Sequence, residues 1–514
     1  MTQELVYRLD DPGYTIYHRA ALGGLAATIQ AWGNTVPTGI TAKVERLQVR
    51  VKWEHLTDHV ALERILKASF KLTPEKIIDL PGQFISQENT LLKVAIHNGI
   101  CTSFLQHPKM RLGEKTPRNI YVKVADSDQA QRLSYKAIDT YAHQKAQGTG
   151  LLEKPKKESE EHSEQFPETA LIPQFLIPGA LRGVKALEDE PAKVILLHFL
   201  IVACPIFFLR PQIQQERAST CVIIPDVVDL ISFATAVKRI ATASKETPKL
   251  TNQYLGRLVV GAEEAALRFL MDLKATEVSD ELCVGGCQAI AMGKVPWDQN
   301  QINRSQTVHL NRDYPEMNIF EAAIRTLGGS KVIHTSRGES LAIPTNALPS
   351  LIAANLAADR HWCFNFKSLV SIQKEFTRML FLREGLIQMK QAIQNSDDKA
   401  IIESFQTAWG IQMGKLGERA RTGKLSFERL VEVRRERIRN EILRTKTASQ
   451  LANWFLRFCT EATKGGTLLS IRENATSVYE MLFNASNFER VQSLLLFALL
   501  SYESKKSKNN LEEN

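Results

Sequence analysis

The segment YHRAALGGLAATIQAWG, Tyr17 to Gly33, follows a turn and predicts the first helix of the chain. The next segment, ERLQVRVKW, predicts a strand because its apolar and polar residues alternate with a period of two. The apolar face carries Leu47, Val49, Val51 and Trp53, and the opposite face carries Arg46, Gln48, Arg50 and Lys52. The basic face is either the solvated side of a sheet or a nucleic-acid-facing surface with Arg50 and Lys52 as contacts.

Residues 1–146 are predicted to form an N-terminal α/β domain. Within it NIYVKV, residues 119–124, predicts a strand, and DQAQRLSYKAIDTYAHQ, residues 128–144, predicts an amphipathic helix. The composition changes at residues 147–170, where charged and polar runs have few apolar anchors. A segment that buries so little cannot offset its ordering entropy, so a disordered linker or surface loop is predicted.

Residues 171–370 are predicted to form a middle α/β domain. IFFLR and TCVIIPD predict paired strands, and Pro225-Asp226 introduces a helix to about Ala243. RLVVGAEEAALRFLMDLKA predicts another helix, and ELCVGGCQAIAMGKV predicts a strand whose glycines indicate a bulge or a close backbone approach. The apolar run VILLHFLIVACPIFFL, residues 194–209, is shorter than the roughly 20 residues that span a bilayer. It predicts two buried elements that are separated near Pro205.

Residues 371–514 are dominated by helix formers, with glycine and proline sparse inside the apolar-periodic segments. Roughly five helices are predicted, at residues 370–393, 399–413, 425–446 and 449–463, with a last one that ends at residue 500. Because short loops join them, they predict an antiparallel bundle. The predicted fold class is therefore α+β: a mixed α/β N-terminal and middle body with a C-terminal all-α helical bundle.

Composition favours a polyanionic partner. The 514 residues include 65 basic and 56 acidic side chains, a net charge of +9. Residues 372–514 account for +6 of it, with 23 basic and 17 acidic residues. Residues 415–446 alone hold 11 basic and 5 acidic residues, which is again +6. The basic excess of the C-terminal third is therefore local to one segment.

The cysteines and the N-terminus predict a cytoplasmic protein. Seven cysteines, an odd number, lie mostly in apolar runs without framework spacing, which indicates buried, reduced thiols. Cys283 and Cys287 have no second pair of Cys or His at ligand spacing, so no metal or cofactor is predicted. MTQELVYRLDDPGY has acidic residues where a secretory signal needs cations and lacks an apolar core, so no targeting to secretion or a membrane is predicted.

The segment RLVEVRRERIRNEILR, residues 429–444, holds six arginines. Phosphate binding is one interpretation, because arginine suits bidentate contact with phosphate and stacking on exposed bases. A solvated face is the other, since four glutamates in residues 428–441 are spaced for pairs with arginines on the helix surface. The candidate nucleic-acid contacts are Arg429, Arg434, Arg435, Arg437, Arg439, Arg444 and Lys446.

Signatures of the common enzyme families, including the P-loop and H-E-x-x-H, do not occur in the sequence. Asp226, Asp229 and Lys238 weakly resemble a nuclease site, and a metal-dependent nuclease or nucleic-acid-modifying enzyme is the alternative from another class. A helical scaffold whose arginines bind acidic proteins is a third interpretation. His18 is either an anion ligand or, more simply, a capping and packing residue.

The opening LDDPGYTIYHRAALGGLAATIQAWG resembles the N-terminus of the Myxan-type large subunit of type I CRISPR effector complexes, known as Cascade. Tyr17, His18, Arg19, Gly23 and Gly24 carry most of the resemblance, which is strongest over about the first 55 residues. It implies a non-catalytic subunit of a crRNA-bearing ribonucleoprotein that recognises the PAM in double-stranded DNA and supports R-loop formation in antiviral defence.

The resemblance also implies the partners. These are crRNA, double-stranded target DNA with its displaced single strand, and the backbone, crRNA-end-binding and small subunits of Cascade. Either a recruited nuclease-helicase or a transposition adaptor acts downstream. The helical bundle is expected to resemble the separate small subunit, and translation from Met389 would yield such a product of 126 residues.

Two polar stretches, residues 297–315 and 327–340, are predicted to be turn-rich loops and supply candidates for PAM recognition. In the first, amide and guanidinium donors suit base-edge acceptors; in the second, glycines let the backbone approach a groove. The candidates are Asn300, Gln301, Asn303, Arg304, Gly328, Gly329 and Lys331. Plain surface turns are the alternative for both stretches.

Overall fold

The computed structural model describes residues 3–123, 130–152, 165–178, 187–209, 219–243, 258–276, 283–294, 302–311, 314, 316–334, 340–344, 346–463 and 468–503. The chain divides into two compact units, Met1–Arg312 and Asp313–Asn514. The first mixes helices with mainly antiparallel strands, and the second is mainly helical, which confirms the predicted fold class. The predicted division at residues 146, 170 and 370 stays a prediction; residues 313–370 lie in the second unit.

The helices of the first unit are α1 (Ile16–Trp32), α2 (Asp58–Ser69), α3 (Thr90–Ser103), α4 (Pro191–Leu197), α5 (Leu200–Ala203), α6 (Leu230–Ala243) and α7 (Ala262–Thr276). Its strands are β1 (Gln3–Arg8), β2 (Ile40–Val44), β3 (Gln48–Trp53), β4 (Lys71–Leu72), β5 (Ile78–Asp79), β6 (Arg111–Gly113), β7 (Arg118–Lys123), β8 (Ala130–Tyr135), β9 (Ile138–Tyr141), β10 (Ala170–Ile172), β11 (Leu187–Asp189), β12 (Ile206–Leu209), β13 (Ser219–Val227), β14 (Leu258–Val259), β15 (Val284–Lys294) and β16 (Ile302–Asn311).

The second unit contains α8 (Met317–Leu327), β17 (Ser330–His334), β18 (Ser340–Pro344), α9 (Leu348–Ala357), α10 (Phe366–Ser371), α11 (Gln373–Phe381), α12 (Arg383–Ala392), α13 (Ser396–Thr422), α14 (Phe427–Arg444), α15 (Ala448–Thr463), α16 (Leu469–Glu473), α17 (Ala475–Phe483) and α18 (Phe488–Leu500).

The largest sheet of the described residues has the order β14-β12-β13-β15-β16, and a three-stranded sheet has the order β1-β3-β2. The predicted pairing of IFFLR with TCVIIPD is confirmed, since β12 and β13 are antiparallel. The predicted bulge is also present, where the register between β13 and β15 shifts at Asp226 and Val227, opposite the glycines of β15. The strand runs through Pro225-Asp226, so the following helix starts later than predicted, at Leu230.

Helix α1 is the buried centre of the first unit and packs against α4, α5, α6 and β13. Residues 20–28 are all buried, so the helix is covered around its circumference instead of along one stripe. Gly23 and Gly24 make this possible. A Cβ on Gly23 would lie 2.8 Å from the Phe233 ring, and one on Gly24 would collide with the carbonyl oxygen of Phe199.

Helix α18 has the corresponding role in the second unit. Residues 491–500 are all buried, and the helix packs against α10, α13, α14 and α17. The predicted helix at residues 370–393 is three helices, because Ile372 is extended and Leu382 departs from helical geometry. The helices predicted around Trp409, Arg435, Phe455 and Leu495 are present as α13, α14, α15 and α18.

The helix predicted at residues 128–144 is wrong. This segment contains β8 and β9, and β8 pairs with β7 in antiparallel register. The strands are favoured because Tyr135 and Leu133 pack with Ile120 on a cluster that contains Ile77 and Val94. Long-range packing therefore overrides the helical periodicity of the segment.

Both turn-rich predictions are corrected in the described residues. Residues 302–311 form β16, paired with β15, and residues 330–344 contain the β17–β18 hairpin. The apolar run at 194–209 forms three elements, α4, α5 and β12, since the chain breaks at His198 as well as before Pro205. Most of the predicted linker, residues 153–164, lies outside the described residues.

All seven cysteines are buried and none forms a disulfide bond, which confirms the predicted buried, reduced thiols. Among the described residues, every helix is too short or too polar to cross a lipid bilayer.

A pair of buried histidines lies beneath α2 and α4. The rings of His143 and His198 are 6.1 Å apart, next to Phe70 and Phe175. His198 Nδ1 contacts the carbonyl of Val194, but His198 Nε2 and both nitrogens of His143 are buried without partners among the described residues. Burial lowers the pKa of His198 to about 4 and holds the pKa of His143 well below its usual value.

We expect Gly24→Ala to destabilise the protein by about 3 kcal/mol or more, because the methyl group meets a backbone carbonyl that only a helix shift can clear. Denaturant unfolding checks this. Gly414→Ala in α13 is the control, since nothing lies within 4 Å of its Cβ and alanine favours the helix. Equal stability of the Gly24→Ala protein and the native chain would contradict the close approach.

The histidine pair predicts a loss of stability in weak acid. The folded pKa of each lies below the unfolded value of about 6.5, so the unfolded state binds more protons and stability falls as pH drops from about 6.5 towards 4. His143→Phe should be stable at pH 7, since no hydrogen bond to described residues is lost, and should flatten this dependence. Unfolding free energies at several pH values measure it, with the exposed His55→Gln as control. Parallel curves for His143→Phe and the native chain would contradict the assignment.

Candidate nucleic-acid interface

Helix α14 carries the arginine segment. Ser426 caps it by accepting a hydrogen bond from the Arg429 N–H, and Val431, Ile438 and Ile442 are buried on one face. The predicted apolar side is therefore present in its C-terminal two thirds, while Phe427 is partly exposed. The helix packs against α13 and α18, so only part of its circumference faces solvent.

Arg439 is occupied inside the unit. Its Nε donates to the Val370 carbonyl at 2.9 Å, its other nitrogens donate to Ser371 and Gln373, and its guanidinium lies 4.8 Å from the Phe376 ring. The residue is 4% exposed. These contacts make Arg439 a link between α14 and the α10–α11 junction, and a phosphate would have to displace them.

Arg434 and Arg435 are half-buried. Arg434 Nε donates to Gln412 at 3.1 Å, and its guanidinium lies 3.8 Å from Glu461. Arg435 Nε is buried without a partner among the described residues. Burial, and then the neighbouring Arg383, lower the pKa of Arg435.

Two arginines of α14 form the surface pairs that the alternative interpretation anticipates. Arg429 contacts Glu432 at 2.7 Å, and Arg437 contacts Glu441 at 2.8 Å. Such exposed pairs contribute only a few tenths of a kcal/mol, and they also neutralise the local charge.

The remaining cations flank the two ends of α14. Arg444 ends the last turn of α14 and Lys446 follows it, while the end of α13 and the connecting loop carry three more cations. Within the described residues, none of these five has a carboxylate at ion-pair distance, and all are exposed: Arg419, Arg421, Lys424, Arg444 and Lys446. Because α14 has 18 residues, the two groups are roughly 27 Å apart along it. We call these five residues the open cations.

Arg419, Arg421 and Lys424 were not among the sequence candidates. Their signal was present, since the basic count of residues 415–446 includes them. What the sequence did not show is which cations of the segment are paired or buried.

The basic face of β3 is largely neutralised by its neighbour. Arg50 contacts Glu4 at 2.7 Å and Lys52 contacts the same carboxylate at 3.6 Å. Glu4 lies on β1, directly opposite Lys52 in the register. The carboxylate of Glu4 thus pairs with two cations. This favours the interpretation of the face as the solvated side of the sheet.

The candidates for PAM recognition do not share one loop. Asn303 and Arg304 lie in β16 opposite Gly293 and Met292, and Lys331 lies in β17. Gly328 ends α8, its N–H donating to the Ile324 carbonyl, and Gly329 follows it. Asn300 and Gln301 lie outside the described residues.

The two aspartates of the nuclease alternative are each engaged by an arginine. Asp226 contacts Arg19 at 2.5 Å, and Asp229, which is buried, contacts Arg46 at 2.7 Å. Asp229 also accepts the N–H of Ser232 and so caps α6. Among the described residues no cluster of His, Cys, Asp and Glu has the arrangement of a metal site.

His18 caps α1. The Thr15 N–H donates to His18 Nδ1 at 3.2 Å, and the Tyr14 ring stacks on the imidazole at 5.1 Å. This agrees with the capping interpretation. Burial lowers the pKa of His18, so the imidazole is neutral near pH 7.

A buried polar network in the second unit escaped sequence reasoning. Asp398, near the start of α13, has a side chain 1% exposed and accepts hydrogen bonds from His361 Nε2 at 2.8 Å and Arg490 Nε at 2.9 Å. His361 Nδ1 lies 3.1 Å from Cys363 Sγ. Asp398 lies 37 residues from His361 and 92 residues from Arg490, and no sequence pattern links the three.

The order Cys363, His361, Asp398 is that of a nucleophile, a base and an orienting acid. The thiol is nevertheless completely buried, and burial raises its pKa well above the usual value. A reactive cysteine needs an accessible thiolate. The network is therefore structural: it joins the segment before α10 to α13 and α18.

Comparison with known proteins identifies the chain. Residues 6–198 match the DevT N-terminal domain, and residues 389–514 match the DevT C-terminal domain. CRISPR-associated protein Cas8a1/Csx13 from Myxococcus xanthus strain DK1622 is 25% identical over an aligned length of 547 residues, covering 98% of this chain and 89% of that protein. The class is thus the large subunit of a CRISPR effector complex. Within it, the chain belongs to the Myxan-type, DevT family, as the N-terminal resemblance predicted.

The C-terminal match begins at Met389, and it contains α13 to α18 with all five open cations. Met389 is itself buried in the middle of α12. Translation from this position stays a prediction.

We expect Asp398→Asn to destabilise the chain by about 3–5 kcal/mol, since it leaves the half-buried Arg490 without its anion. Thermal and denaturant unfolding check this. Glu461→Gln is the matched control, because Glu461 is exposed and its contacts are longer, 3.8 and 3.9 Å, so a change within about 0.5 kcal/mol is expected. Equal effects of the two substitutions would contradict a buried, charge-dependent network.

Proposed function

We propose that this chain is the non-catalytic large subunit that recognises the PAM in double-stranded DNA and supports duplex opening and R-loop formation. The observation that carries the proposal is the set of open cations beside α14, within the part of the chain that matches the DevT C-terminal domain. Phosphates of the target or displaced strand are the anions that this surface would hold. Guide pairing then supplies the sequence specificity.

The spacing of the open cations suits a strand that runs along α14. Two groups about 27 Å apart lie farther from each other than adjacent phosphates of one nucleic-acid strand, so several nucleotides would bridge them. The arginines in the middle of α14 are paired or buried. They would therefore attract phosphates through the local electrostatic potential more than by direct contact. Backbone contact of this kind gives affinity with little sequence preference.

For PAM recognition, the proposal retains the polar residues around β16 and β17. Asn303 and Arg304 supply amide and guanidinium groups of the type that reads base edges in a groove. Gly328 and Gly329 precede β17, where Lys331 would contact the DNA backbone.

The proposed partners are crRNA, target DNA and the other Cascade subunits, followed by a nuclease-helicase or a transposition adaptor.

The five open cations provide the test. Replacing Arg419, Arg421, Lys424, Arg444 and Lys446 by glutamine should weaken capture of target DNA by the assembled complex at physiological salt. It should also make the dependence of affinity on salt shallower, by about 0.7–0.9 in the log-log slope for each lost contact. Filter binding or anisotropy over a salt series measures both quantities.

The matched control replaces Arg429 and Arg437, which lie on the same helix but are paired with glutamates. We expect this double variant to retain most of the salt slope. An unchanged slope in the fivefold variant would overturn the proposed surface. Metal-dependent DNA cleavage abolished by Asp226→Ala would instead establish the nuclease alternative.

A further inference from the structure

The β7–β8 hairpin and the segment before it form a second basic surface, in the first unit. Residues 109–136 contain seven basic and three acidic residues. The two strands pair over six residues, with Arg118 opposite Tyr135 and Tyr121 opposite Arg132. Because the sequence predicted a helix here, this surface was not among the sequence candidates.

The inner face of the hairpin is fixed to the unit. Ile120, Leu133 and Tyr135 pack on the cluster that contains Ile77 and Val94. The hydroxyl of Tyr135 donates to the Glu75 carbonyl at 3.1 Å. Asn98 of α3 donates to the Ser134 carbonyl at 3.0 Å, which holds β8 against the helix. These contacts hold the hairpin against the first unit by its inner face, so the position of its outer face is fixed.

The outer face exposes an aromatic ring among polar groups. Tyr121 is 67% exposed, and Asn119, Ser134 and Lys136 beside it are also exposed. Among the residues whose side chains the structure describes, no aromatic ring or cation is stacked on Tyr121. An exposed tyrosine surrounded by polar residues offers a flat surface on which a base can stack.

The charges around this ring are partly uncommitted. Arg118 pairs with Glu114, and Lys76 pairs with Asp139. Three lysines in or next to this segment differ from Arg118 and Lys76. Lys109, Lys115 and Lys136 are exposed, and within the described residues none of them has a carboxylate at ion-pair distance. An exposed aromatic ring and unpaired lysines within one segment are the two features that bind a single strand.

We propose that the outer face of the β7–β8 hairpin binds single-stranded nucleic acid, with one base stacked on Tyr121 and more distant phosphates of the same strand near Lys115 and Lys136. A single strand is favoured over a duplex because the bases of a duplex are stacked on one another, which leaves no face open to a side chain. The inference rests on the proposed function only in that the chain works on nucleic acid. The surface is separate from the open cations, which belong to the other unit.

The test uses the full chain and fluorescein-labelled 20-nucleotide oligouridylate and oligothymidylate. Tyr121→Ala should weaken binding of at least one of them fivefold or more, since stacking contributes about 1–3 kcal/mol per base. Tyr121→Phe should bind within twofold of the native chain, because the ring is retained. Comparing the two oligonucleotides distinguishes RNA from DNA as the preferred strand.

The controls separate this site from the open cations and from general effects. Tyr479→Ala removes a tyrosine that is equally exposed, at 65%, in the second unit, and should leave affinity unchanged. Lys115→Gln with Lys136→Gln should weaken binding and lower the salt slope by about 0.7 per lysine. A 5-iodouridine oligonucleotide should photocrosslink to Tyr121 in the native chain and in the fivefold glutamine variant alike.

Unchanged affinity of Tyr121→Ala for both oligonucleotides, or a crosslink that maps elsewhere, overturns the hairpin site. If the open-cation variant loses DNA capture while Tyr121→Ala does not, the proposed function stands and this inference fails. The reverse result supports the hairpin and removes the α14 surface. Because the crosslink is made in the native chain, the test holds even if a variant folds poorly.

Discussion

The first unit depends on the contact between the backbone of α1 at Gly24 and the carbonyl oxygen of Phe199. At Gly23 and Gly24 the neighbours of α1 come so close that a Cβ would collide with them, and only glycine leaves room for that approach. With α1 in place, α4, α5 and α6 pack around it and β13 lies beneath. Gly23 and Gly24 also carry part of the family resemblance. The close packing of α1 gives a steric reason for glycine at these two positions.

Charge has two separate uses in the second unit. Asp398, Arg490 and His361 place opposite charges inside, where each satisfies the hydrogen-bonding groups of the others. Arg439 is likewise directed inwards, onto carbonyls of the α10–α11 junction. The open cations, by contrast, are exposed and have neither kind of contact among the described residues. A count of net charge cannot separate the two uses.

The difference between bonded cations and open cations determines which side chains of the proposed surface can contact phosphate. A cation already bound to a carbonyl would have to give up that contact to reach a phosphate, whereas an exposed and unpaired one loses only water. The phosphate-binding surface of α14 is therefore expected at its two ends. The hairpin adds a ring for stacking, which the arginine helix does not provide in its described residues. Neither proposed surface requires a catalytic group.

The sequence by itself determined the elements with strong local signals: α1, β3, the β12–β13 pair, the long helices of the C-terminal third and the buried thiols. It also determined the family, through the residues around Gly23 and Gly24. Only the tertiary structure decided that residues 130–141 are strands, because Tyr135 and Leu133 gain a cluster that no local pattern reveals. Only the tertiary structure decided which arginines are free, since the partners of Arg439 and Asp398 lie between 37 and 92 residues away in the chain. Periodicity depends on neighbours in sequence, whereas burial and ion pairing depend on neighbours in space.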